Sequence, residues 1–338
     1  MRTIHLVGSI GLSDEGAVFR ALAEILDDRA PRYPDGEPGE RSDWISWQRK
    51  VFAAHPRFEA ADDVRSYRDG GPARYFRLRS MARTDALEFG EIGYAHAAIR
   101  SYRTFARLKS AGVIPAATRF MVAIPTPVAV LTAFVAPEQR AEVEPAYEQA
   151  IVREVQQIAA EIPHSELAMQ WDVCFEVLSQ DGAFPLHYED VLAGSLARLE
   201  RLGASVPEGV QLGYHLCYGD PEHKHIQEPR DTATAVQFAN GIAARVPHSL
   251  AWLHLPVPRS RCDHTYFAPL EQLQVPASTE LILGLLHLTD GVAGAQRRIA
   301  AAENVLAKFG IATECGFGRR DPATIPQLLR MHRDVADL

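Results

Sequence analysis

The chain has 338 residues, 47% hydrophobic and 23% charged, with a formal net charge of -8. That balance is ordinary for a globular protein, and the length suits one α/β barrel. A net negative chain without a Lys/Arg-rich run has no electrostatic footprint for nucleic acid or an anionic membrane, and it lacks an apolar run of about 18 residues to span a bilayer.

Residues 3–8, Thr-Ile-His-Leu-Val-Gly, read as a short buried strand. The apolar run before Gly8 is too short for an export signal, so a cytoplasmic protein is expected. A helix follows over 13–26, with Ser13 as N-cap and Asp14 and Glu15 in its first turn. Residues 32–36 read as a strand that runs into a loop rich in Pro, Gly and charge, ending near Arg41. Trp44 and Trp47 follow closely, which suits a loop folded inward. Residues 54–85 are charged and irregular and yield no element. A helix is expected over 88–111, a strand over 119–124 closed by Pro125-Thr126-Pro127, and a helical region over 128–162 broken near Pro137. From there the pattern is regular. Strands at 167–173, 210–216, 250–255, 281–287 and 311–315 alternate with helices at 188–202, 231–244, 267–273, 293–309 and 323–335.

Apolar strands separated by helices are parallel βαβ units, and eight of them point to a single (β/α)8 barrel spanning 1–338. An open doubly wound sheet is the alternative. No Gly-x-Gly-x-x-Gly follows the first strand, which disfavours its dinucleotide-binding form. A barrel places its site at the C-terminal strand ends. The polar residues there are Ser9, Asp35, Glu37, Asp172, His215, Cys217, His254, His287 and Cys315.

His215 and Cys217 lie two apart in an extended run, so their side chains share one side. Imidazole and thiolate are the ligands zinc prefers. Taken singly, a buried cysteine is more often a small apolar residue, and a strand-end histidine more often bonds a backbone carbonyl. Their joint location at the barrel mouth favours a zinc site of His215, Cys217 and Cys315, with His254 available as a fourth ligand. Cys174 has the parity of Asp172 but lies one residue beyond its strand, and Cys262 falls in a Pro/Arg loop, so neither joins the set. With no export signal the four cysteines are expected as reduced thiols, and their wide spacing excludes a two-CxxC ribbon.

These residues resemble the C-terminal catalytic barrel of cobalamin-independent methionine synthase, in the superfamily that also holds uroporphyrinogen decarboxylase. Six segments carry the resemblance in order: Gly8-Ser9, the run Asp35 to Asp43, Gln170-Trp171-Asp172, His215-Leu216-Cys217-Tyr218, Leu285-Leu286-His287, and Cys315-Gly316 followed by Arg319-Arg320. The resemblance implies zinc on His215, Cys217 and Cys315. It implies Ser9, Glu37 and Asp172 around the amino-acid part of a homocysteine-like thiol, and His287 assisting transfer of a methyl group from a small-molecule donor. The implied activity is zinc-dependent methyl or alkyl transfer to a thiol.

The chain departs from the family where a glutamate would end the sixth strand, since His254 stands there. Imidazole in place of carboxylate raises the site charge by one and makes the bound thiolate less electron-rich. The loop Pro256 to Arg261 also differs, and the length leaves no room for the second barrel of full-length methionine synthases. A different thiol or donor, a lyase of the decarboxylase type, or a non-catalytic metal-binding barrel are the other readings.

Overall fold

The computed structural model describes residues 1–67, 71–79 and 86–338. Its strands are β1 (Arg32–Pro34), β2 (Phe58–Tyr67), β3 (Gly71–Leu78), β4 (Arg119–Pro125), β5 (Leu167–Val173), β6 (Gln211–Leu216), β7 (Leu250–Pro256), β8 (Glu280–Leu286) and β9 (Gly310–Thr313). Among the described residues, seven of these form one curled parallel sheet in the order β1-β4-β5-β6-β7-β8-β9. Helices follow the strands, as the βαβ pattern requires. No helix among the described residues is long and apolar enough to cross a membrane.

The segment expected as the first strand carries only isolated bridges. Ile4 pairs with Ile311 of β9, and Ser9 pairs with Gly36 just past β1, so the segment reaches both edges of the sheet. Its ladder is made at the ends: His5 N–H donates to Ile311 O at 2.9 Å, and Ile10 N–H donates to Gly36 O at 2.8 Å. In the middle, the Val7 carbonyl accepts from Gln170 Nε2 at 2.6 Å. An interior side chain thus takes a backbone acceptor that a strand would use in its ladder.

Helix boundaries differ from the sequence expectation for local reasons. Asp14, not Ser13, caps the helix Glu15–Leu26 by accepting from Ala17 N–H at 2.8 Å. The helix expected from 88 begins at Tyr94, because Gly93 sits at φ 98° and the Glu154 carboxylate takes the N–H groups of Ile92, Gly93 and Ala95. That cap comes from a distant helix, so no local signal announces it. The long helical region breaks as expected, into Pro127–Phe134 and Arg140–Glu161, with Pro137 between them.

The hairpin β2–β3 falls in the stretch where no element was legible. Phe52, Phe58, Phe76, Phe89, Phe134 and Tyr147 pack ring on ring beside it, and Ala136 N–H donates to Phe76 O at 2.9 Å. The excursion between β1 and β4 is therefore anchored by aromatic burial.

Two apolar clusters lie on the two faces of the sheet. The larger fills the space between strands and helices. The smaller, Val7, Met121, Ala168, Trp252, Ile282 and Ala312, fills the inside of the curl. Gly213 makes room for it, because a Cβ there would lie 2.0 Å from Trp252 Cε2, its register neighbour on β7. Gly213→Ala is expected to cost about 1–3 kcal/mol by overpacking. An unchanged urea midpoint would show that the interior is looser than this packing.

Candidate metal centre and substrate cleft

Parallel register aligns the strand ends. Asp172 on β5 pairs with His215 on β6, which pairs with His254 on β7. Register partners in a sheet share a face, so these three side chains stand in a row inside the curl. Cys217 follows β6, and Cys315 follows β9, with their Sγ atoms 3.8 Å apart. One ligand atom each from His215, Cys217 and Cys315 lies within 4.8 Å of the others, a group that could hold a metal ion. Gly219 N–H donates to Cys217 Sγ at 3.3 Å.

The hydrogen bonds of His254 settle the tautomer of His215. His254 Nε2 faces the carbonyl of Thr313 at 3.1 Å, so it carries the proton. Its Nδ1 is then an acceptor, and it lies 2.6 Å from His215 Nδ1, which must donate. His215 Nε2 is left with a bare lone pair, buried and without a hydrogen-bond partner. A buried orphan nitrogen beside two thiols is what a metal site presents before the ion enters. Burial holds His215 well below its ordinary pKa and holds His254 down to about 3, so both rings stay neutral. His254 was expected as an available fourth ligand, and here its two nitrogens face His215 and the Thr313 carbonyl. Both of its nitrogens are hydrogen-bonded, and its Nδ1 holds the His215 ring through Nδ1.

The thiols are suppressed as acids. Contact with the Cys174 thiol and burial push Cys217 well above the usual range, and contact with Cys217 and burial do the same for Cys315. Adjacent thiolates repel one another, and a divalent cation removes that cost. The donor set therefore fits a zinc-type ion.

The same cleft continues past Cys174 and Val7 to Ser9, Glu37, Trp44, Asp172 and Arg319, with a cavity of about 50 Å³ that opens to solvent. Asp35 builds the turn that delivers Glu37. It accepts from Glu37 N–H at 2.9 Å, Arg41 at 2.6 Å and Ser101 at 2.7 Å. Gly36 at φ 80° and Glu37 at φ 51° both adopt left-handed backbone there. For Glu37 that is strain, held at the site by its surroundings. Burial pushes Glu37 up to about 8, with the nearby Asp172 adding to the effect, and burial pushes Asp172 up to about 7. Gln170 donates to Asp172 at 2.9 Å and lowers it in part. Ser9 Oγ accepts from Gly318 N–H at 3.2 Å, which leaves its own proton free. Trp44 stacks on Phe175 with centroids 5.9 Å apart, so the loop does fold inward over the cleft.

His287 is not on the cleft wall among the described residues. Its Nε2 faces the Val257 carbonyl at 2.9 Å, and its Nδ1 faces Glu314 at 3.2 Å. The other Glu314 oxygen lies 3.1 Å from His225 Nε2. Burial works against charge on His225, but Glu228 and Glu314 outweigh it and raise its pKa. Glu314 thus bridges His287 and His225, and it immediately precedes Cys315 in sequence.

Sequence reasoning left Cys174 out, yet its side chain lines the cleft beside Cys217. The signal was its shared parity with Asp172, two residues earlier. Cys262 is exposed and stays outside the site, as expected.

No protein-family model and no curated protein matches the sequence. Solved structures do match in fold. A B12-independent methionine synthase from a Shewanella species, in complex with selenomethionine, superposes with a TM-score of 0.63 at 13% identity, over 99% of this chain and 96% of that one. A putative vitamin-B12-independent methionine synthase from Listeria monocytogenes gives 0.56 at 15% identity, over 99% of both chains. At these identities the likeness is one of fold.

Proposed function

We propose that this chain is a zinc-dependent alkyltransferase that moves a methyl or similar group onto the thiol of a small amino acid such as homocysteine. The observation that carries the reading is the pairing, within one cleft, of an orphan imidazole nitrogen and two thiols with two buried carboxylates. His215, Cys217 and Cys315 would hold the ion, and segment 4–10 would serve as the eighth stave of a closed barrel with the cleft at its mouth. Bound there, zinc would keep the acceptor sulfur as a thiolate at neutral pH and leave one exchangeable position for it.

The chain's own residues do the rest. His254 fixes the His215 ring so that Nε2 points into the cluster. Glu37 and Asp172 receive the substrate ammonium, whose charge lets both carboxyls ionise in a buried setting. Ser9 offers its free hydroxyl proton to the substrate carboxylate. Trp44 and Phe175 limit water at the open side. Proton movement at the donor falls to the His287–Glu314–His225 chain, with His287 acting through Glu314.

Ligand-dependent unfolding tests this. Homocysteine at about a hundred times its dissociation constant is expected to stabilise the zinc-loaded protein by about 2.7 kcal/mol. A thiol without the amino-acid group should give a smaller shift. Equal shifts with and without zinc, or no shift, would contradict the reading.

A further inference from the structure

His254 is committed elsewhere, so the metal cluster has three protein donors and a tetrahedral ion has four positions. We propose that Cys174 is the fourth protein ligand, a resident thiolate that closes the centre until the substrate sulfur displaces it. The proposal rests on the metal centre argued above and extends it to a residue outside the expected set.

Four observations carry it. Cys174 directly follows Val173, the register partner of Leu216, and Cys217 directly follows Leu216. Cys217 N–H donates to Val173 O at 2.9 Å, which holds the two strand ends side by side where both cysteines leave the sheet. Cys174 and Cys217 are 1% and 5% exposed, and both line the cleft that also holds His215 and Cys315. Both are free thiols, in no disulfide.

Cys174 lines the cleft with Cys217 but lies outside the three atoms grouped within 4.8 Å, so it is the donor that must swing in, and the one placed to swing out. Cysteine in a wholly apolar pocket needs no such neighbours. Here a third thiol lines the same cleft as the proposed ligands. Exchange of one thiolate for another leaves the charge of the ligand set unchanged. The substrate thiol gives up its proton as it binds, and the Cys174 thiolate takes one as it leaves, so the step balances with no oxidant or reductant.

Cobalt(II) titration tests the assignment, because thiolate-to-cobalt charge transfer grows with the number of sulfur ligands. Wild type is expected to show a band for three thiolates, and Cys174→Ala to lose about a third of it. Cys262→Ala, altered at an exposed position, should keep the full band. X-ray absorption on zinc-loaded wild type needs no variant and should count three sulfur neighbours at about 2.3 Å. An undiminished band in Cys174→Ala, or two sulfur neighbours in wild type, overturns the role of Cys174 while leaving the metal centre in place. Failure of the wild type to bind cobalt or zinc overturns both.

Discussion

Replacing Cys217 or Cys315 with serine is expected to weaken zinc binding by roughly a thousandfold or more, about 4 kcal/mol. Each sulfur is one of three donor atoms grouped within 4.8 Å, and a serine hydroxyl does not ionise to replace it. His254→Ala is expected to cost less, about 10–100-fold, the range for an orienting partner of a metal-bound histidine. Without His254 Nδ1 as acceptor, the His215 ring no longer holds its proton on Nδ1, and the lone pair on Nε2 is not assured. Zinc content after dialysis against a graded chelator reads all three variants. If Cys217→Ser kept the wild-type zinc affinity, the centre would lie elsewhere.

The second large effect concerns the carboxylates. Asp172→Asn or Glu37→Gln should raise the KM for an amino-acid thiol by about a hundredfold, the cost of removing one buried charge-assisted bond of about 2–3 kcal/mol. In the empty cleft Glu37 titrates at about 8 and Asp172 at about 7, so protons compete with the substrate ammonium below those values. The KM is therefore expected to fall as pH rises through 7 to 8 in the wild type and to fall less in either amide variant. Ligand-free stability runs the opposite way. Both carboxyls are held above their ordinary values of 4.5 and 3.8, so the native state binds more protons than the unfolded chain between those values and about 8, and stability declines across that window. A flat KM profile together with a flat stability profile would remove these two residues from substrate binding.

Much of this was legible in the residues because hydrophobic period reports element type well. The alternation from 167 onward matched the strands to within two positions, though the helix read over 293–309 ends at Glu303 and Phe175–Gln180 was not read, and polar residues at strand ends stood out against apolar neighbours. The hairpin Phe58–Tyr67 with Gly71–Leu78 did not stand out, since its charged residues mask the alternation and its anchoring aromatics come from distant segments. The hydrogen-bond partners of His254 were not legible for a different reason. It is the register partner of His215, but the choice between ligand and orienting partner depends on which ring nitrogen meets Thr313 and which meets His215. His287 fell short of the cleft because both its nitrogens are drawn to Val257 and Glu314. Cys174 shows the converse, a residue set aside for lying one position past a strand when the chain keeps its side chain in the cleft as the helix Phe175–Gln180 begins.

The most direct measurement of the central claim is product formation. Zinc-loaded protein is incubated with homocysteine and a set of methyl donors, and the thiol is analysed by mass spectrometry. The account predicts an S-methylated thiol with at least one donor, lost on chelation and restored by zinc, and sharply reduced in Asp172→Ala and His287→Ala. No alkylated thiol with any donor, or transfer at the wild-type rate in both variants, would contradict it.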